Sequence, residues 1–391
     1  MRGRGYLRPR RGYRTSSAQY IPVGFHTTGT NNTLNIQVAT AVDALIYWGD
    51  GTTSSITGGG AATPFSHTYT DGIAGHDVGI GTQRVTQLVC NSCLVDSIEL
   101  GTPSELELLY ATGNQITSLD TAGAAALTGL QLFSNPGLTS LDITEATALQ
   151  DLRVNNTGLT SLDVTQNTAL TNLLCATCAL TTLDVSQNTA LNQLVCYNNQ
   201  LASLNVNACT VLTNLECNNN LLTSLSVTGA TSLNSLRFHN NQLTSVDVTQ
   251  NVALTVLNCS GNPALGTIDI TQNTSLGIFL GNSSGLTSLD PTNCVSLTRL
   301  EANFNSLAGL DVLQCTVLTN LQVRDNGMTQ AQVDDILVDL ETTVAGNPRG
   351  GTCQIHSSNS APSVATGCPA YCSLTGTYGW TVVITGSCTC P

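Results

Sequence analysis

Leu173-Leu174-Cys175-Ala176-Thr177-Cys178-Ala179-Leu180, continued by Thr181-Thr182-Leu183-Asp184-Val185-Ser186-Gln187-Asn188-Thr189-Ala190-Leu191, decides how the rest of the chain is read. The pattern returns from Leu194, Leu215, Leu236 and Leu257, twenty-one residues at a step. Counted in both directions there are twelve units, starting at Leu88, Leu109, Leu130, Leu152, Leu173, Leu194, Leu215, Leu236, Leu257, Phe279, Leu300 and Leu321. A fixed period of this length marks a solenoid. One such unit cannot bury its apolar face alone, and stacking the units makes a continuous core.

With each starting residue as position 0, apolar residues recur at 0, +2, +7, +10, +12 and +18. Alternation of 0 and +2 with outward-facing +1 and +3 predicts a short strand. The segment at +10 to +12, as in Leu162-Asp163-Val164 and Leu183-Asp184-Val185, is predicted to be extended as well. Twenty-one residues leave no room for a full helix on the return path, so loops and turns are expected there. The expected class is mainly β, a short-repeat solenoid of about twelve rungs.

Leu170-Thr171-Asn172-Leu173-Leu174-Cys175-Ala176-Thr177-Cys178-Ala179-Leu180 follows the consensus L-x-x-L-x-L-x-x-N/C-x-L. Leu191 to Leu201 follows it too, with Asn199 at the N/C position. Over more than half its length the chain resembles leucine-rich repeat proteins. Its short units are most similar to those of bacterial surface proteins of the internalin type and of phage virion proteins. The resemblance implies binding of proteins or glycans on the concave face, and no catalysis.

Outward from the repeats (residues 85–328), three further segments are distinguished. Residues 20–84 read as a small β domain, because Leu34, Ile36 and Val38 alternate with polar residues and Gly49-Asp50-Gly51-Thr52 is a turn signal. Trp48 to Thr52, followed by His67-Thr68-Tyr69, resembles the polycystic-kidney-disease-type β domain, in which the Asp-Gly turn is structural. Residues 329–391 read as a cap. Thr329 and Gln332 are spaced as a capping box, and Val333, Ile336, Leu337 and Leu340 share one face of a helix predicted over 329–343. A Cys-rich segment with a strand, Gly379 to Ile384, closes the chain.

Residues 1–19 form an arm carrying Arg2, Arg4, Arg8, Arg10, Arg11 and Arg14, half of the twelve arginines in a chain without lysine. No acidic residue precedes Asp43, so the net charge of −13 belongs to an acidic body behind a basic arm. Arginine in such an arm suits an acidic protein surface or phosphate, and the expected role is anchoring to a larger assembly. No run of about 18 apolar residues is present to span a membrane. The N-terminus also lacks the apolar stretch of a usual signal peptide.

The fifteen cysteines sort by repeat position. Cys90, Cys175, Cys196, Cys217 and Cys259 sit at +2, facing inward as small hydrophobes, and Cys93 and Cys178 fill the N/C position. Core packing therefore explains the Cys-x-x-Cys spacings better than zinc does. Cys294 and Cys315 occupy one outer column in neighbouring rungs and are disulfide candidates. So are Cys353, Cys368, Cys372, Cys388 and Cys390, in a segment too poor in apolar residues to pack alone. Zinc held by His356 with these cysteines is the alternative there.

An aspartate column runs through Asp120, Asp142, Asp163, Asp184, Asp247, Asp269, Asp290 and Asp311, interrupted by Asn205 and Ser226. The interruptions favour bonding to backbone N–H groups. Calcium between rungs is the alternative, and no other cofactor is expected. Gly281 to Gly285 matches G-x-S-x-G but lies inside a repeat turn, where a nucleophile elbow does not belong.

On the concave face, Tyr110, Phe133, Arg153, Tyr197, Arg237, His239 and Arg324 stand out from a field of Asn, Ser and Thr as the candidate ligand-binding residues. The expected function is non-enzymatic: a virion surface protein of phage type, anchored to capsid, tail or another assembly protein by its arm. Its solenoid would meet a host protein or glycan. A secreted adhesin of internalin type is the alternative, and nucleic-acid binding through the arm is the second.

Overall fold

A computed structural model describes residues 23–28, 33–71, 73, 75–81, 84–100, 105–345 and 350–390. The arm carrying Arg2, Arg4, Arg8, Arg10, Arg11 and Arg14 lies outside the described residues. The chain divides into two compact units, residues 1–158 and 159–391.

The first unit begins with strands β1 (Val23–Thr27), β2 (Thr33–Thr40), β3 (Ala44–Tyr47), β4 (Thr53–Ile56), β5 (Thr63–Thr68), β6 (His76–Ile80), β7 (Val85–Val89) and β8 (Val95–Leu100). One antiparallel sheet runs β4-β3-β6-β1-β8. In the other, β5 and β2 pair antiparallel onto β7, which is itself the first repeat strand and pairs parallel with Leu108–Tyr110. Gly129–Gln131 and Asp151–Arg153 continue that parallel stack. An antiparallel partner on β7 gives the solenoid's first edge its missing hydrogen bonds. Leu34, Ile36, Val38, Ile46, Trp48, Val78 and Ile80 are among the buried residues of these strands and of the turn after β3.

The Trp48–Thr52 turn is closed by its own side chains. Thr52 donates both its amide and its hydroxyl to Asp50 Oδ1, at 2.9 and 2.6 Å. His67 Nε2 lies 2.7 Å from Asp50 Oδ2, and its ring stacks on Trp48 with centroids 4.7 Å apart. The Tyr69 hydroxyl donates to the Trp48 carbonyl at 2.7 Å.

In the second unit ten parallel strands form one sheet. Its repeat strands are Asn172–Leu174, Gln193–Val195, Asn214–Glu216, Ser235–Arg237, Val256–Asn258, Ile278–Leu280, Arg299–Glu301 and Asn320–Gln322. The register sets Leu173 beside Leu194, Leu194 beside Leu215, and so on to Leu300 beside Leu321. All twelve position-0 residues fall in strands and are 0% exposed. Each such burial contributes about 1.5–3 kcal/mol, which is why a one-residue slip of register is not tolerated.

Asparagine at +5 links successive rungs. Asn241 donates its amide to the carbonyls of Cys217 and Phe238, at 3.1 and 2.8 Å, and its Oδ1 accepts the Leu222 amide at 3.0 Å. Asn199, Asn220, Asn262 and Asn326 repeat the pattern. The residue before each of these asparagines takes left-handed backbone, and this column holds mostly Asn, Ser, Thr and Gly, as at Asn198, Asn219, Asn240 and Gly261.

The sheet does not end with the repeats. After helix α1 (Gln330–Ala345), the strand Thr352–Ile355 pairs parallel with Asn320–Gln322, and Thr381–Ile384 pairs with it in turn. Asn359 takes the part of a repeat asparagine for this added rung, donating to the Val323 carbonyl at 2.8 Å and accepting the Asn326 amide at 3.0 Å. Helix α1 buries Val333, Ile336, Leu337, Leu340 and Val344. At its start the Gln332 side chain accepts the Thr329 amide at 2.7 Å, the reciprocal half of a capping box. Asp334 reaches from α1 to accept the Ser363 amide at 2.7 Å and the Thr366 hydroxyl at 2.9 Å.

Disulfides Cys368–Cys388 and Cys372–Cys390 tie helix α2 (Gly367–Cys372) to the chain end. The disulfide expectation does not hold for the other three candidates. Cys353 is a thiol, fully buried opposite Leu321 in the added rung, where it fills a leucine's place. Cys294 and Cys315 are also buried thiols. Each donates to a carbonyl of the preceding rung, Ile270 at 3.6 Å and Pro291 at 3.7 Å. Equivalent side chains in a parallel stack point the same way, whereas a disulfide requires its two Cβ atoms to converge.

Candidate binding face

The strands expose their +1 and +3 side chains on one side. In the first unit, Tyr110, Gln131 and Arg153 occupy +1 of consecutive rungs, with Phe133 at +3, all half-buried. Gly129 makes room for Leu108 of the preceding rung, since a Cβ there would lie 2.8 Å from the leucine Cδ2. Arg153 is held by Asp151, Nε to Oδ2 at 3.0 Å, and Gln131 donates to the same carboxylate at 3.3 Å.

In the second unit the face changes character along its length. Leu174, Ala176 and Val195 form an apolar start, and Tyr197 stands half-buried beside them. Farther on, Arg237 pairs with Glu216, Nη1 to Oε1 at 3.1 Å. His239 lies beside this pair. Its burial and the nearby guanidinium hold the imidazole below its usual pKa against the pull of Glu216, so it is neutral at pH 7. Then Arg299 donates to Glu301 at 2.7 Å, and Asn282 donates to the other oxygen of Glu301 at 3.1 Å. At the far end Arg324 lies over the ring of Phe304, 5.5 Å from its centroid.

The predicted residues of the second unit thus fall in two groups. Tyr197 and His239 share a column two rungs apart, with Arg237 next to His239. Arg324 stands four rungs beyond. Glu216, Glu301, Arg299 and Phe304 were not singled out by sequence. The carboxylates are common residue types, but Phe304 left a signal: it is the one aromatic residue in a column of small and polar ones.

The outer turns are occupied otherwise. Asp163, Asp184, Asp247, Asp269 and Asp290 each accept the amide two residues ahead, at 2.9–3.0 Å. At Asp163, Asp247 and Asp269, bonds from the threonine hydroxyl and amide two residues on hold the carboxyl below its usual pKa. Asn205 accepts from Asn207 in the same way at 3.0 Å, so charge is not what the column requires. Among the described residues no cluster of three or more His, Cys, Asp or Glu is placed to hold a metal. The +2 thiols are fully buried, and burial pushes Cys217 and Cys259 up to about 12. They are core groups and not nucleophiles.

No protein-family profile and no curated protein sequence matches the chain. Solved structures do. A leucine-rich repeat protein of Leptospira interrogans superposes with a TM-score of 0.55 at 21% identity, over 71% of this chain and 72% of that one. An internalin (inlF) of Listeria monocytogenes gives 0.51 at 20% identity, over 78% and 87%. The fold is the leucine-rich repeat. The functional domain of InlJ from Listeria monocytogenes, described as including a cysteine ladder, gives 0.48 at 25% identity, over 70% and 74%. Within the leucine-rich repeat fold, the +5 asparagines and position-0 leucines serve the scaffold, and the +1 and +3 side chains are left over for other work. No helix among the described residues is long and apolar enough to cross a membrane.

Proposed function

We propose that the chain is a non-catalytic binding protein that meets its partner with the +1 and +3 side chains of its repeat strands. One observation carries this. The inward columns at 0, +7, +12 and +18 repeat nearly the same apolar residue, rung after rung, while the strand face of the second unit varies from Leu174 and Tyr197 through Glu216, Arg237 and His239 to Glu301 and Arg324. Rung-to-rung variation on an exposed strand face is what a recognition surface on a regular scaffold requires. The buried thiols and the aspartates engaged in turns support a non-catalytic role.

The finer reading is display at a surface, with a phage-type virion the first setting and a bacterial cell surface, with an adhesin role, the alternative. The basic arm ahead of an acidic, disulfide-closed body supports it. The polycystic-kidney-disease-like β layer at the front is read as a spacer and cap. Nucleic-acid binding by the arm is disfavoured by the net charge of −13.

The test is binding of the full chain to arrays of glycans and cell-surface proteins. A variant with Tyr197→Asn, Arg237→Asn and Arg324→Asn should lose whatever binding is found. A second variant with Asp184→Asn and Asp269→Asn on the outer turns should keep it. Loss in the second, or retention in the first, would count against the proposal.

A further inference from the structure

The +4 position of each repeat takes left-handed backbone, which crowds a side chain's Cβ against the carbonyl that follows. In the second unit the column holds Thr177, Asn198, Asn219, Asn240, Gly261, Ser283 and Asp325, residues that are small or bond locally. Phe304 breaks the pattern, with φ 58° and the residue 53% exposed. Its ring is disfavoured by the backbone and is not used by the core. Strain of this kind, kept at an exposed aromatic, points to function.

A second observation concerns charge. The described arginines of residues 159–391 are Arg237, Arg299 and Arg324. The first two are paired with Glu216 and Glu301. Arg324 has no carboxylate partner among the described residues; it lies over Phe304, and its Nε is 3.4 Å from Asn303 Oδ1. Asn303 is 3% exposed, and its own amide is bonded to Asn282 at 2.9 Å, so the guanidinium is set on a fixed support. An unneutralised guanidinium beside an exposed ring offers a fork for a carboxylate and a stacking plane in one place.

Resting on the binding-face reading, we propose that Phe304 and Arg324 form a subsite for a terminal acidic sugar. The ring would stack on the sugar's apolar face and the guanidinium would clasp its carboxylate. A protein partner would want an apolar core around the aromatic. The surroundings here include Asn303, Gln322 and Asp325, whose carboxylate accepts the Ser358 amide at 3.2 Å, and Leu221, the other exposed large apolar residue near this edge, is four rungs away, about 19 Å. The net charge of −13 repels a polyanion, so a single terminal residue is the fitting ligand.

The experiment titrates the full chain with N-acetylneuraminic acid, glucuronic acid and the neutral methyl glucoside by ligand-observed NMR, with Phe304→Asn and Arg324→Gln in parallel. At least one acidic sugar should bind, methyl glucoside should not, and each variant should weaken binding by about tenfold or more. Phe304→Asn should also raise Tm, because Asn tolerates the left-handed backbone. A fall in Tm would make the ring structural and overturn the proposal, and Arg324→Gln tests the carboxylate clasp independently. Equal binding of glucuronic acid and methyl glucoside, undiminished binding by both variants, or no binding of either acid would overturn it as well. If both acids fail while a protein on the array is lost with the strand-face variant, the subsite falls and the binding-face reading stands.

Discussion

Asn220 donates its side-chain amide to the Cys196 carbonyl of the preceding rung at 3.0 Å, while its Oδ1 accepts the Leu201 amide at 3.0 Å. It donates to the Cys217 carbonyl as well, at 3.1 Å. One side chain thus satisfies three buried backbone groups on both sides of a turn. Asn220→Ala leaves the Leu201 amide unpaired, while the two carbonyls keep Asn199 and Asn241 as donors at 3.0 and 3.1 Å, and should cost about 2 kcal/mol. Urea denaturation followed by circular dichroism would show it as a lowered midpoint; an unchanged midpoint would mean that the asparagines are not what joins the rungs.

The Asp50 turn gives the first unit a pH signature. Burial opposes ionisation of Asp50, but the Thr52 hydroxyl and amide and the facing His67 outweigh it and bring the carboxyl down to about 2 from 3.8. A folded-state pKa below the unfolded one stabilises the fold above about 3.8 and loses that contribution as pH falls toward about 2. Asp50→Asn should therefore lower stability at pH 6 and narrow its gap to the unchanged chain at pH 2. Fluorescence of Trp48, which stacks on His67, would follow the transition.

The thiols should be silent in the folded protein. Burial raises Cys175 and Cys196 well above the ordinary thiol range, and Cys353 to about 12. A thiol-reactive dye at pH 8 should label Cys178 first, since it alone of the free cysteines is not fully buried, and the rest only on unfolding. Peptide mapping without reduction should find Cys368–Cys388 and Cys372–Cys390. A Cys294–Cys315 peptide would contradict the structure.

Asp334 ties α1 to the closing segment through Ser363 and Thr366. Asp334 is 8% exposed, so Asp334→Ala leaves the Ser363 amide unpaired and takes one of two partners from the Thr366 hydroxyl, and should cost about 2 kcal/mol. Limited proteolysis should then cut within residues 350–390 before the repeats; uniform resistance would show the cap to be held by its disulfides alone.

The solenoid was legible because its period repeats the same burial twelve times, and α1 because Thr329 and Gln332 mark its start. Beyond the helix the strand ending at Ile384 was legible, but neither its place as a rung of the same sheet nor the rung at Thr352–Ile355 was. Cys353 and Val382 stand where leucine was expected, and a 16-residue helix interrupts the spacing. The column arithmetic that placed Cys294 and Cys315 side by side was sound about position and silent about direction, and direction decides whether a bridge forms. On the binding face the sequence singled out Arg324 by type. Its neighbour Phe304 was hidden at +4, since an unusual residue there has meaning only once the left-handed backbone is known.

Hydroxyl-radical footprinting of the full chain, with and without the array component it binds best, tests the central claim most directly. Oxidation should fall at Tyr197, His239 and Phe304 on the strand side, and stay unchanged at Val211, Val252 and Val295, which are exposed elsewhere in their repeats. Protection of those valines, with the strand-side residues still reactive, would place recognition on the outer turns and contradict the account.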